Sequence, residues 1–218
     1  MRPIAQFGLL LISYLIGSIP WGYLTVRLTE GDDIRSIESG RIGGTNTMRA
    51  AGFLAGMITT ILDMLKSAST VWIARALVPE LTWLHVAAPL LAVIGHNYSI
   101  YLIRKDDQGK LTIGGGAGGA PLVGASFGLW WPSALILIPL GLLVVFGIGY
   151  ASLATMSLPL LSSLIFLFLH LTGRAPWEYI LLGVFGEIIV LWALRPNIQR
   201  LLAGEERLVG WRASRKEE

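Results

Sequence analysis

Seven apolar runs, each about the length that crosses a hydrocarbon core, follow one another with little between them, and this succession restricts the chain more than any single motif does. They lie at about Ile4 to Val26, Gly52 to Val78, Leu81 to Ile103, Ile113 to Trp131, Ser133 to Tyr150, Leu153 to Leu171 and Pro176 to Leu194. A backbone in lipid must satisfy its own N–H and C=O groups, so such runs fold as helices. Composition agrees: 54% of the 218 residues are hydrophobic and 14% are charged, against about 25% charged in a soluble domain. The expected fold is an all-α integral membrane protein, one membrane-embedded unit over residues 1–218 with a bundle of about seven transmembrane helices. The first run is too long for a cleavable signal peptide, and no small-residue cleavage site precedes the polar stretch after it. The fourth opens with glycine and alanine and reads alternatively as a re-entrant loop, so six and eight spans stand as alternatives.

Seven alternating spans sort the basic residues sharply. Arg27, Arg35, Arg41, Arg49, Arg104, Lys105, Lys110, Arg195, Arg200, Arg207, Arg212, Arg215 and Lys216 fall on one side, Arg2, Arg75 and Arg174 on the other, and Lys66 inside a span. The positive-inside rule then places the N-terminus outside and the C-terminus in the cytoplasm. Three polar, glycine-bearing segments, at about residues 27–51, 95–121 and 194–210, share that cytoplasmic face. The asymmetry reports orientation; no basic aromatic patch for nucleic acid is present. The absence of cysteine excludes disulfides, thiolate metal sites and a cysteine nucleophile.

In the first segment, Ser39, Gly40, Gly43, Gly44, Thr45 and Asn46 alternate polar side chains with residues that let the backbone approach a ligand, and Arg35, Arg41 and Arg49 add charge. That pattern cradles phosphate. Thr45 or Asn46 is placed to cap the following helix and aim its amides at the same anion. The glycine run Gly114 to Gly119 formally contains a dinucleotide fingerprint, but no Asp or Glu lies between Asp107 and Glu178 to hold a ribose, so that reading fails. Small-residue helix packing, a backbone nest facing an anion, and close passage of an acyl chain remain open for these glycines. His96 stands near the cytoplasmic interface, as a phosphate donor, a general acid or base, or a structural residue. No metal is expected, because His85 and His170 lie at other depths and no carboxylate cluster joins them. Asp63 and Lys66, at i and i+3 inside the second run, read first as a buried ion pair. Asn197 and Arg200 share one face after Pro196, completing an anionic site with the other segments.

These residues resemble a known family, the PlsY-type acyl-phosphate:glycerol-3-phosphate acyltransferases of bacteria. Gly17 to Gly22, then Asp33, Arg35, Ser39, Gly40, Gly43, Thr45, Asn46 and Arg49, are similar to its pattern GSIPxG followed by DxRxxGSGNxGATNxxR. Leu194 to Glu206 resembles HRxNIxRLxxGxE, and Asp63 with Lys66 matches a D-x-x-K in the second helix. This chain departs at Arg41, where the family usually has asparagine, at Gly44 for alanine and at Leu194 for histidine. The second motif, normally GH then GGKGVAT, stands here as Gly95, His96 and Gly115 to Pro121, with Ala117 in place of the lysine. Arg104, Lys105 and Lys110 are candidates to return that charge.

The resemblance implies a multi-pass protein of the bacterial inner (plasma) membrane in phospholipid biosynthesis. It implies acyl transfer from acyl phosphate to the 1-hydroxyl of glycerol 3-phosphate, giving lysophosphatidate, with both substrates and membrane lipid as partners and no cofactor. It assigns Ser39, Thr45, Asn46 and Arg49 to phosphate binding and orientation, Asn197 and Arg200 to closing the pocket, and the backbone of Gly115 and Gly116 to the acyl phosphate. His96 is a polarising donor or an anchor. A catalytically silent paralogue that binds lipid precursors is the main alternative. A small transporter of an anionic metabolite is disfavoured, since no internal repeat with matched broken helices is visible.

Overall fold

Pro20 decides the shape of the first apolar run. In the computed structural model, which describes residues 3–105 and 108–209, the run is split into α1 (Pro3–Ser18) and α2 (Trp21–Thr29). Proline has no N–H to continue a helical ladder and its ring clashes with the preceding turn. The carbonyls freed at the break find donors from elsewhere in the chain. Ser99 Oγ donates to Ser18 O at 2.6 Å and Lys66 Nζ donates to Ile19 O at 2.9 Å.

The helix α3 (Gly44–Leu77) begins ahead of the second apolar run, because its first two turns are polar and hydropathy does not register them. It kinks at Ala51 and Gly52, where Gly52 takes φ +84°, a value that costs a residue with a Cβ but not glycine. After α4 (Thr82–Asn97) the chain differs from the expected spans. Residues 98–118 form a 3₁₀ turn at Ile100–Leu102, an antiparallel hairpin of β1 (Ile103–Lys105) and β2 (Leu111–Ile113), and a non-helical glycine stretch. Consecutive glycines each cost about 1 kcal/mol in a helix, and here they pack instead against the end of α4. The next helix, α5 (Gly119–Leu129), therefore keeps 11 residues, about 16 Å against a hydrocarbon core of about 30 Å. The chain continues through α6 (Ser133–Ile148), α7 (Ala151–Leu171), α8 (Ile180–Ala193) and α9 (Arg195–Leu202).

By length and composition, Pro3–Thr29, Gly44–Leu77 and Ala151–Leu171 are each able to cross a membrane, and Trp177–Ala193 with Arg195–Leu202, bent by 68°, adds a fourth. The short α5 is buried on nearly every face, between α3, α4, α7 and α8. Val71, Leu90, Ala125, Leu129, Phe166 and Leu182 form the main core around it. A Cβ on Gly124 would run into the Met64 carbonyl, so glycine sets how near α5 lies to α3. Ser126 and Ser162 share a hydrogen bond of 2.8 Å between α5 and α7. Leu135, Leu143, Phe168 and Leu171 are exposed on the outside of the bundle, an apolar belt that suits lipid rather than water.

Contacts at the helix ends sort the connections. Arg75 near the end of α3 donates to Gly128 O and Leu129 O at 3.1 and 2.7 Å and to the Tyr179 hydroxyl at 3.0 Å. At the opposite end Val209 N donates to Gly149 O at 2.8 Å. The three polar segments meet at this second end. Arg2, Asp107, Arg212, Arg215 and Lys216, used in the sequence arguments, and residue 210 at the end of the third segment, lie outside the described residues.

Candidate active site beneath three converging loops

The first loop is held from within by Asn46. On the first turn of α3 and 3% exposed, it donates from Nδ2 to Arg41 O at 2.9 Å and Ile37 O at 3.0 Å, while its Oδ1 faces the Ser39 amide at 3.5 Å. Asp33 accepts from the Arg35 amide at 2.9 Å and pairs with the guanidinium at 2.6 Å. Those bonds hold the Asp33 carboxyl below its ordinary pKa and raise that of Arg35. Beneath the loop, Val26, Ile34, Ile42 and Leu102 make a small apolar core of their own. Gly43 is the N-cap of α3 and no side chain caps it, so the capping expected of Thr45 or Asn46 is not what starts this helix.

The second loop is pinned to the end of α4. Gly116 N donates to His96 O at 2.9 Å, Ser99 N to Gly114 O at 3.0 Å, and Ile42 N of the first loop to Gly115 O at 3.3 Å. A Cβ on Gly115 would overlap the Asn97 carbonyl, and one on Gly116 would overlap the His96 ring. The approach is close enough that only glycine fits. The His96 ring itself points into the bundle and is 2% exposed. Its Nδ1 lies 3.0 Å from Lys66 Nζ and 3.4 Å from Asp63 Oδ1, and Lys66 and Asp63 are 2.7 Å apart.

In the third segment, Asn197 Oδ1 accepts from Arg41 and Asn197 Nδ2 donates to Glu206 Oε1 at 2.8 Å. Arg200 Nε donates to Glu206 Oε2 at 3.0 Å, and Ser152 Oγ to Glu206 Oε1 at 2.9 Å. Arg41 joins the three segments. Its guanidinium donates to Gly116 O at 3.1 Å, Ala193 O at 2.7 Å and Asn197 Oδ1 at 3.0 Å. Burial and then the nearby Arg200 lower its pKa, yet a guanidinium stays protonated under any physiological condition. Between the segments lies a cavity of about 300 Å³ walled by Ser39, Gly40, Arg41, Asn97, Tyr98, Ile113, Gly114, Gly115, Gly116, Ala193, Pro196 and Arg200. Two guanidinium groups, a hydroxyl and a glycine backbone form a wall suited to anionic oxygen. Among the described residues no three His, Asp or Glu side chains gather as metal ligands.

A family model described as glycerol-3-phosphate acyltransferase matches residues 7–204. The chain belongs to the glycerol-3-phosphate acyltransferase family. Among curated members, the glycerol-3-phosphate acyltransferase of Rubrobacter xylanophilus is 40% identical over 210 residues, covering 94% of this chain and 96% of the relative. One from Thermus thermophilus is 36% identical, over 94% of this chain and 95% of its own. The fold is similar to crystal structures of PlsY (YgiH), an integral membrane glycerol 3-phosphate acyltransferase. Its glycerol 3-phosphate form superimposes with TM-score 0.80 and 29% identity, covering 94% of this chain and 96% of that one. Its lysophosphatidic acid form gives TM-score 0.77 at 28% identity.

Of the residues that the acyltransferase pattern singled out, Ser39, Gly115, Gly116 and Arg200 stand on the cavity wall. Asn197 lies one bond behind it, through Arg41, and Asn46 is occupied in holding the first loop. Thr45 and Arg49 are exposed on α3, with Arg49 Nη2 3.5 Å from Leu208 O. The Gly116 amide, expected to face acyl phosphate, is committed to the His96 carbonyl, and the Gly116 carbonyl accepts from Arg41. His96, expected near the interface, is sealed into the Asp63 and Lys66 pair because the glycine run covers its far side. Arg104 and Lys105 are exposed on the hairpin and absent from the wall. The sequence counts Arg41 as charge for the first loop but gives it no place among the pocket residues, because its contacts to Gly116, Ala193 and Asn197 join segments far apart in the chain. Glu206 closes the third motif in sequence, but no role follows from its spacing, because its partners Ser152, Asn197 and Arg200 are set by the fold.

Proposed function

We propose that this acyltransferase moves a fatty acyl group from acyl phosphate to the 1-hydroxyl of glycerol 3-phosphate, giving lysophosphatidate and inorganic phosphate, in the cavity beneath the three loops. The observation that carries this reading is the wall itself. Arg41 and Arg200 flank a glycine backbone and the Ser39 hydroxyl at the meeting point of the three segments. The hydroxyl oxygen of glycerol 3-phosphate attacks the acyl carbon, the bond from that carbon to the phosphate oxygen breaks, and the departing phosphate takes the hydroxyl proton. Acyl phosphate brings its own leaving group, so the protein mainly aligns two anions and stabilises the charge that develops as the bond breaks. Ser39 and Arg200 contact phosphate oxygen, Thr45 and Arg49 receive an anion at the exposed start of α3, and Asn197 sets the angle of Arg41. Asn46 and His96 act from behind the wall by fixing the first and second loops.

The same reading takes seven helical units, α1 with α2 as the first, as seven spans of the bacterial inner membrane, the N-terminus outside and the loops cytoplasmic. Clustering of Arg35, Arg41, Arg104, Lys105 and Arg200 at the cavity end supports it. The test is to offer acyl phosphate, acyl-CoA and acyl carrier protein separately to the purified protein with glycerol 3-phosphate. Lysophosphatidate from acyl phosphate alone is the expected outcome. Binding of glycerol 3-phosphate without product from any donor would convert the reading into a silent precursor-binding protein.

A further inference from the structure

The glycine stretch of the second loop, Gly114 to Gly116, reaches the cavity with backbone alone. Gly115 and Gly116 press against Asn97 and His96 with no space for a Cβ, and the next residue is Ala117. Yet the cation that touches this loop is present, and it comes from the first loop. We propose that Arg41 is the ligand of a substrate phosphate on the glycine side of the cavity, supplying across the loops the positive charge that Ala117 does not. The inference rests on the function proposed above and names a residue and a division of labour within it.

Three observations converge. The guanidinium lies on the cavity wall and bonds only neutral acceptors, the Gly116 and Ala193 carbonyls and the Asn197 amide oxygen. Among the described residues no carboxylate stands within ion-pair distance of it. The nearest acid in electrostatic terms, Glu206, is already divided among Ser152, Asn197 and Arg200. A half-buried cation without a counter-ion is costly, and the cost is offset when an anion arrives. Second, Arg200 is close enough to repel Arg41, so two like charges share the wall of one cavity. A phosphate seated between them turns that repulsion into two attractions. Third, a guanidinium carries five N–H groups, and Gly116, Ala193 and Asn197 take three of them from fixed directions. The fork is thereby oriented before the ligand arrives, with Nε and the second Nη1 hydrogen left for phosphate oxygen.

The ligand chemistry is a phosphate monoester or an acyl phosphate, and kinetics separates the two. Full-length wild type and Arg41→Gln are assayed in detergent with each substrate varied in turn, and inorganic phosphate is used as a competing probe. Arg41→Gln is expected to raise KM for one of the two substrates about 30-fold or more, and to weaken phosphate inhibition in parallel, as loss of a charged hydrogen bond would. Adding Ala117→Lys to Arg41→Gln should recover at least about tenfold of that loss, since position 117 adjoins the wall residue Gly116 and a flexible four-carbon stem gives the ammonium reach. A fall in kcat with both KM values and phosphate inhibition unchanged would reduce Arg41 to a clasp between loops and overturn the proposal, as would wild-type kinetics. A double variant no better than the single overturns the exchange between positions 41 and 117. If Arg41→Gln aggregates, Arg41→Asn removes the same charge with the amide that the family usually has at this position, and unchanged KM values there overturn the proposal equally. Wild-type protein inactive with acyl phosphate would sink the functional reading instead. Calorimetry of inorganic phosphate on wild type and variant still reads the role of Arg41 in that case.

Discussion

Asn197 shows how one amide links two charges of opposite sign. It accepts from Arg41 and donates to Glu206, so both its polar ends face ionised partners. Each such bond contributes about 1.5–3 kcal/mol, and truncation leaves both partners short at once. Asn197→Ala should therefore lower kcat/KM about 100-fold or more, measured as lysophosphatidate formation. A drop of a few-fold would mean that Arg41 and Glu206 hold their positions without it. Arg49 is a contrasting residue, exposed, with one neutral acceptor at 3.5 Å and a charge free to follow an anion. Its replacement by alanine should remove most of the turnover, and normal turnover would remove α3 from the phosphate site. At this scale the sequence pointed to Ser39 and Arg200, both of which line the cavity, because a hydroxyl among glycines and a basic residue one turn after Asn197 are local patterns. Arg41 was legible only as charge for the first loop, not as the residue that joins the three segments. Its partners are a carbonyl in the second loop and a corner in the third, and no local spacing encodes a meeting of three distant segments.

Among elements, the glycine run and the end of α4 behave as one unit. The Gly116 position leaves no room beside the His96 ring, so Gly116→Ala must push either the loop or the ring, at a cost of about 1–3 kcal/mol for overpacking. A lowered midpoint of thermal unfolding in detergent, with part of it restored by the smaller His96→Ala partner, is the expected result. A Gly116→Ala protein as stable as wild type would mean that the close approach does not hold in the membrane. The apolar runs announced most helices here, since twenty hydrophobic residues in lipid have few other solutions. They overestimated α4 and α5, because hydropathy counts Ile100, Leu102, Ile103 and Ile113 as apolar without registering that they lie in a 3₁₀ turn and a hairpin. The strands of three residues each are too short for a period-two pattern to appear.

For the molecule as a whole, the arrangement divides into a chemical end and a closed end. Arg75, Tyr179 and the end of α5 are joined at one, and the three loops gather at the other. The chain has no cysteine, so single cysteines at Glu38, Lys110 and Glu205 on the loops, and at Glu80 and Gly173 at the far end, can each be labelled from a known side of the membrane. The first three should react from the cytoplasm and the last two from outside. Labelling of the loops from different sides would contradict the seven-span arrangement. The break at Pro20 has a consequence for how such a molecule is made. In a lone α1 and α2 the Ile19 carbonyl would keep only the Trp21 amide at 3.2 Å and the Ser18 carbonyl would lack Ser99, since Lys66 and Ser99 arrive much later in synthesis. The leading segment therefore reaches its full complement of hydrogen bonds only after α3 and the end of α4 are made. A single proline near the start of the chain thus ties the completion of the first segment to a lysine and a serine made dozens of residues later.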